Sequence, residues 1–210
     1  MRSGIRPVDL HEDIYDGIDG VSDKDQLRKT LRQARRDHVA SQPQAIRALL
    51  FNRPPVSLVE TIPANAVIGL YHATRFEAPT RGYAQFFIES GHDIALPHFA
   101  DRDAEMTFRR HTDPLGESDL EPGPFGMTQP ADDAPAITPD IVFAPLIGFT
   151  PDGDRIGQGG GHYDRWLTDH GDVRAIGLAW DVQCVDTLPV EGHDRRLNTI
   201  VTPTRIYAVD

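Results

Sequence analysis

The chain has 210 residues, 39% of them hydrophobic, and carries a formal net charge of −11. This suits one large or two small globular domains with a sizeable core and excludes a disordered chain. The acidic balance argues against nucleic acid or an anionic membrane as partner, and no run reaches the ~20 apolar residues of a membrane span.

The first 21 residues are acidic, without clear periodicity, and read as an N-terminal arm; residues 22–210 then read as one α/β domain. Ser22 is a candidate N-cap with Asp23 and Asp25 in the first turn. The stretch "KDQLRKTLRQARRDHVA" sets Leu27, Leu31, Ala34 and Val39 near one helical face, with the basic residues elsewhere. Residues 45–51 suggest a short second helix, stopped by Pro54 and Pro55.

The period then changes. "AVIGLY" (66–71) reads as a buried strand, 80–90 as a helix closed by Gly91, "DIALPHF" (93–99) as a strand and "EMTFRR" (105–110) as another. Residues 111–139, rich in Pro, Gly and Asp, look like a long surface excursion. "DIVFAPLIGF" (140–149) is the strongest strand signal; a helix at 160–170 and strands at 174–180 and 204–210 follow. Apolar strands alternating with helices predict a three-layer α/β/α fold, its mostly parallel sheet flanked by helices, with a long N-terminal helix. Ligands of such sheets sit beyond the carboxyl ends of the strands.

"RIGQGGGHYDRWL" (155–167) lies in that position. Glycines 157, 159, 160 and 161 let backbone N–H groups approach a ligand, and a helix N-terminus follows, which suits phosphate oxygens. No Gly-Lys-Ser/Thr follows and position 162 is His, so neither the P-loop nor the Rossmann fingerprint fits; a plain turn is the alternative. Asp164 could hold a hard cation against phosphate or simply begin the helix. His193 and Asp194 could form a metal or acid–base pair, although an exposed loop is the simpler reading. Lys24 and Arg28 share a helix face and could clamp phosphates, although a solvated basic face is the commoner case. Glu77 could meet a substrate or start the helix at 80.

Taken together, "KDQLR" (24–28), "EAPT" (77–80), "ALPHF" (95–99), "FGMTQP" (125–130), residues 140–167 and "AWDVQ…LPVEGHDRRLN" (179–198) resemble, in that order, the 5-formyltetrahydrofolate cyclo-ligases. The resemblance runs from residue 22 to about 204, with 140–167 its most specific segment. It implies an ATP- and Mg²⁺-dependent enzyme that converts 5-formyltetrahydrofolate to 5,10-methenyltetrahydrofolate, releasing ADP and phosphate. The formyl oxygen attacks the γ-phosphate, N10 closes the ring and phosphate leaves.

It also implies site roles. Lys24, Arg28, Arg155, Ile156, Gly157, Gln158, Gly159, Gly160, Gly161, His162 and Tyr163 would bind ATP, with Lys24, Arg155 and Asp164 catalytic. His72, Glu77, Gln158, Gly160 and His162 would face the reduced folate, and Asp164 and Asp194 would hold Mg²⁺. A cytoplasmic monomer or weak dimer is expected, with ATP and reduced folate as small-molecule partners. This chain departs from the family pattern at His162 (usually Tyr), at Phe76 (usually Gly) and at Asn198 (often an acid). Those departures keep open a second reading, a catalytically altered or regulatory member that binds nucleotide and folate.

Overall fold

A computed structural model describes residues 23–209; the expected arm and the Ser22 cap lie outside the described residues. Among the described residues, five α-helices and eleven short strands follow one another. Helix α1 (Asp23–Ser41), α2 (Gln44–Leu50) and the single turn α3 (Val56–Val59) precede strand β1 (Ile68–Gly69). Then come α4 (Arg81–Glu89), β2 (Ile94–His98), β3 (Thr107–His111), and a hairpin of β4 (Leu120–Pro122) and β5 (Thr128–Pro130). The second half holds β6 (Ile141–Ala144), β7 (Gly148–Phe149), β8 (Arg155–Ile156), α5 (His162–Asp169), β9 (Arg174–Leu178), β10 (Thr199–Val201) and β11 (Ile206–Ala208).

Seven strands form one sheet in the order β11-β10-β9-β6-β1-β2-β3. Neighbours from β10 to β2 run parallel, and only the edge strands β3 and β11 are antiparallel. The mostly parallel sheet and flanking helices are those expected.

Strand β6 shows why. All four of its residues are buried. Ile141 and Phe143 join the core under α4 with Tyr83, Phe87 and Trp180, while Val142 and Ala144 join the opposite core with Trp166 and Leu167 of α5. A strand covered on both faces must be apolar throughout. Helix α4 ends as its sequence predicts: Gly91 takes φ +89°, and its N–H bonds the carbonyl of Ile88 at 3.0 Å.

Three expectations need correction. The strand predicted over 140–149 stops at Ala144, because Pro145 has no N–H for a ladder. The chain then leaves the sheet, and β7 pairs antiparallel with β8. Residues 111–139 are not a bare excursion, since they contain the β4–β5 hairpin. On α1 the buried stripe is Leu31, Arg35 and Val39, so one basic residue lies on the inward face.

The connections fix where a ligand belongs. β1 leads through α4 to β2 on one side, whereas β6 leads through α5 to β9 on the other. The topological switch point therefore falls between the carboxyl ends of β1 and β6.

Candidate functional site

Two loops leave that switch point: 70–80 after β1, carrying His72 and Glu77, and 145–161 after β6, ending in the glycines. They meet where the Gln158 amide donates to Oε1 of Glu77 at 3.4 Å. Helix α1 crosses the same opening. Arg28 Nε donates to the Gly157 carbonyl at 3.1 Å, and Arg32 donates to both the side-chain and main-chain oxygens of Gln158, at 3.2 and 3.0 Å.

The glycines have separate reasons. Gly159 has φ +108°, and a Cβ there would lie 3.6 Å from Arg28 Cζ. Gly161 adopts the left-handed conformation at φ 63° and opens α5, whose first amides are free of a side-chain cap. Gln158, Gly159 and Gly160 are exposed, so the loop presents backbone outward. Ile156 is different: its side chain packs with Leu31 and Ile147, which leaves it a supporting role.

The predicted cations and the predicted metal acids pair with one another. Lys24 Nζ reaches Asp194 at 2.8 Å and Glu191 at 3.0 Å. Burial opposes the Lys24 charge, but these two carboxylates outweigh it and hold its pKa above the ordinary value. Asp194 shows the reverse balance: burial pushes its pKa up, the bonds from Lys24 and the Glu191 N–H pull it down, and it ends below the usual range. Arg155, itself buried, donates to Asp164 at 2.7 Å, and the same carboxylate oxygen accepts the Arg195 N–H at 3.2 Å. The Asp164 carboxylate thus meets the backbone of the residue that follows Asp194.

No group of three or more His, Cys, Asp or Glu side chains able to hold a metal occurs among the described residues. Two nearby carboxylates still fit Mg²⁺, which commonly binds through one or two carboxylates plus phosphate oxygens and water.

His162 packs in an aromatic group. Its ring centroid is 4.9 Å from that of Phe99 and 5.6 Å from that of Phe125. Arg165 donates to His162 Nδ1 at 3.0 Å, so that nitrogen is the acceptor. Burial first, and then the Arg165 charge, lower the imidazole pKa. Phe125 sits at the β4–β5 turn with φ 63°, unusual for a bulky residue, and is 43% exposed. Tyr163 places a buried hydroxyl, without a hydrogen-bond partner among the described residues, close enough to Glu77 for that carboxylate, after burial itself, to raise its pKa.

His72 does not join this group. It pairs with Glu117 at 3.3 Å and lines a cavity of about 190 Å³ between Tyr71, Arg81 and His111. The other departures are structural. Asn198 accepts the Ala175 N–H at 2.8 Å and so pins β9, while the Phe76 carbonyl accepts the Trp180 indole N–H at 3.1 Å. Sequence reading missed Arg32, Arg35, Phe99 and Phe125 as neighbours of the site. For the two arginines the signal was present, since they continue the helical spacing from Arg28.

Comparison with known proteins decides the kinship. The model of the 5-formyltetrahydrofolate cyclo-ligase family matches residues 21–203. The chain belongs to this family. Among its relatives, 5-formyltetrahydrofolate cyclo-ligase of Escherichia coli K12 is 41% identical over 70 residues, 32% of this chain and 38% of that one. The match therefore spans little more than a third of that relative's length. The cyclo-ligase of Haemophilus influenzae is 28% identical over 185 residues, covering 81% of this chain and 92% of the relative. The solved structure of Aquifex aeolicus 5,10-methenyltetrahydrofolate synthetase has the same fold, with TM-score 0.67 and 20% identity over 87% of this chain and 93% of that one. Family membership accounts for the order of the motifs from α1 to the 189–198 loop.

Proposed function

We propose that the protein closes 5-formyltetrahydrofolate to 5,10-methenyltetrahydrofolate at the expense of ATP, releasing ADP and phosphate. The observation that carries this reading is the bridge from Gln158 to Glu77, which joins a glycine loop to a buried carboxylate across the switch point. One side of the bridge suits phosphates. It offers Lys24, Arg28, Arg155, the amides of residues 157–161 and the N-terminus of α5. The other side suits a flat, N–H-rich ring. Glu77 is an acceptor for pterin N–H groups, and Phe99, Phe125 and His162 give an aromatic wall.

In this reading the formyl oxygen attacks the γ-phosphorus and the β–γ bridge bond breaks, so ADP leaves. N10 then attacks the activated carbon, loses its proton, and the C–O bond to phosphate breaks. Phosphoryl transfer of this kind needs placement and charge neutralisation, not a protein nucleophile. Asp164 and Asp194 would hold Mg²⁺, which would supply charge neutralisation to the phosphates. Lys24 and Arg155 stabilise negative charge on those oxygens, and Arg28 fixes the loop through Gly157. We place ATP along Arg155–Tyr163 and the folate against Glu77, Gln158, Gly160 and His162. His72 would reach only a part of the substrate that extends toward the Glu117 cavity.

The test is spectrophotometric. Mixing the protein with Mg-ATP and 5-formyltetrahydrofolate should raise the absorbance of the methenyl product, with one ADP formed per ring closed. Ligand-induced thermal stabilisation by ATP and folate without product would instead support the binding-only reading.

A further inference from the structure

We propose that Arg35 is a positioning residue for the folate side of the site, acting through Glu77 to set where that carboxylate meets substrate. The proposal rests on the folate reading above and adds a residue to it.

Arg35 occupies a position that the helix pattern assigns to the core. Leu31, four residues before it, and Val39, four after, are buried apolar residues of the same stripe. A guanidinium there is 6% exposed, and burial lowers its pKa. Its partners do not explain it as a structural tie. Nη1 lies 3.9 Å from Glu77 Oε1 and donates to the Leu146 carbonyl at 3.3 Å, both long contacts. Nε is buried and has no hydrogen-bond partner among the described residues. Well-packed apolar side chains commonly replace buried ion pairs at no cost in stability, so stability alone does not call for an arginine here.

The division of the Glu77 oxygens supplies a reason. Oε2 is held within its own loop, accepting the Thr74 N–H at 2.9 Å and the Thr74 hydroxyl at 2.8 Å. Oε1 is the oxygen shared between Arg35 and the Gln158 amide. Arg35 therefore acts on the oxygen that faces the glycine loop. Through Leu146 it also spans both sides of the β1–β6 switch point. Remove the guanidinium, and Oε1 keeps only the 3.4 Å bond from Gln158, itself an exposed residue. The carboxylate would then rotate or draw in water, and its alignment toward substrate would be lost.

The experiment compares Arg35→Met, Arg35→Lys, Glu77→Gln and the Arg35→Met/Glu77→Gln pair in the ring-closure assay. Arg35→Met should raise KM for 5-formyltetrahydrofolate by about tenfold while KM for ATP stays within about twofold. Arg35→Lys should recover part of the loss. The double variant should be no worse than Glu77→Gln alone, because the two residues act as one unit. Unchanged folate KM in Arg35→Met would overturn the proposal. So would parallel loss for ATP and folate with a fall in Tm, or independent, multiplying effects in the double variant. If Arg35→Met does not fold, a folded Arg35→Lys with normal folate KM gives the same refutation. A wild-type protein that closes no ring overturns the folate reading itself, and this proposal with it.

Discussion

Two regions of the molecule are built on acid–base pairs, and they use different bases. At the switch point the bases are Lys24, Arg35 and Arg155, which pair with Asp194, Glu77 and Asp164. On the β3 flank they are histidines. His98 pairs with Asp132 at 2.7 Å, His111 with Asp119 at 2.9 Å and His72 with Glu117. Lysine and arginine bring positive charge and N–H donors that suit anions, whereas an imidazole is a compact ring that can tie one segment to another through a single nitrogen. The flank pairs latch the segment after β3 onto the sheet. On the proposed function a single motif serves recognition in one place and fastening in the other, and substitutions can separate the two.

The largest separation should come from Lys24→Ala. If Lys24 neutralises the transferring phosphate as proposed, its loss should cut kcat/KM for ATP by about 100-fold. Because the Lys24 side chain is partly exposed, Tm should fall by less than about 4 °C. Steady-state kinetics and calorimetry on one preparation check both parts. Normal turnover would mean that the Lys24–Asp194 pair is a fastener like those on the flank. Asp164→Asn tests the acid on the same ground. An amide can still accept from Arg155 but is a poorer metal ligand, so activity should fall and its Mg²⁺ requirement should rise, with the fold kept. Alanine is the less useful change, since it strands a buried arginine at a cost of about 3–5 kcal/mol.

Much of this was legible in the chain because local rules carried it. Four buried apolar residues in "IVFA" mark a central parallel strand, Gly91 marks the end of α4, and the glycines before α5 mark the exposed loop that opens that helix. What escaped depended on distant partners. Strand β10 is three residues long and is defined by pairing with β9 and β11. The β4–β5 hairpin hides in a Pro- and Gly-rich run whose Gln129 side chain bonds the Phe99 backbone in both directions. The helix pattern puts position 35 on the buried stripe, but an arginine there is expected to turn outward, and its partners Glu77 and Leu146 lie in other segments. The aromatic group at His162 likewise needs three segments to be folded together.

A smaller effect sharpens the role of the loop. At φ +108°, Gly159→Ala should strain the backbone by about 1–3 kcal/mol. The loop is exposed there and can shift to relieve this. Tm should therefore change little, while KM for ATP rises by about tenfold. Equal Tm with equal KM would remove the Gly159 backbone from the nucleotide contact.

The smallest effect belongs to the flank and is visible only as a pH dependence. Burial lowers the His111 pKa, outweighing Asp119, which raises it by charge and hydrogen bond; His72 also lowers it and Glu117 raises it. A depressed histidine binds its proton less readily in the folded state than in the unfolded one. Its contribution is therefore complete above the unfolded value near 6.5 and is lost as pH falls through the folded value. His111→Asn keeps a donor for Asp119 at the Nδ1 position but cannot be protonated. Between pH 8 and pH 5 the wild type should lose more Tm than this variant, by on the order of 2 °C. At pH 8 its turnover should match wild type: His111 shares a cavity with His72 and Tyr71, but among the described residues its hydrogen bonds go to Asp119 and not to Glu77 or the glycine loop. Identical acid sensitivity in the two proteins would show that the His111 pair fastens nothing, and a loss of turnover at pH 8 would erase the division between recognition and fastening.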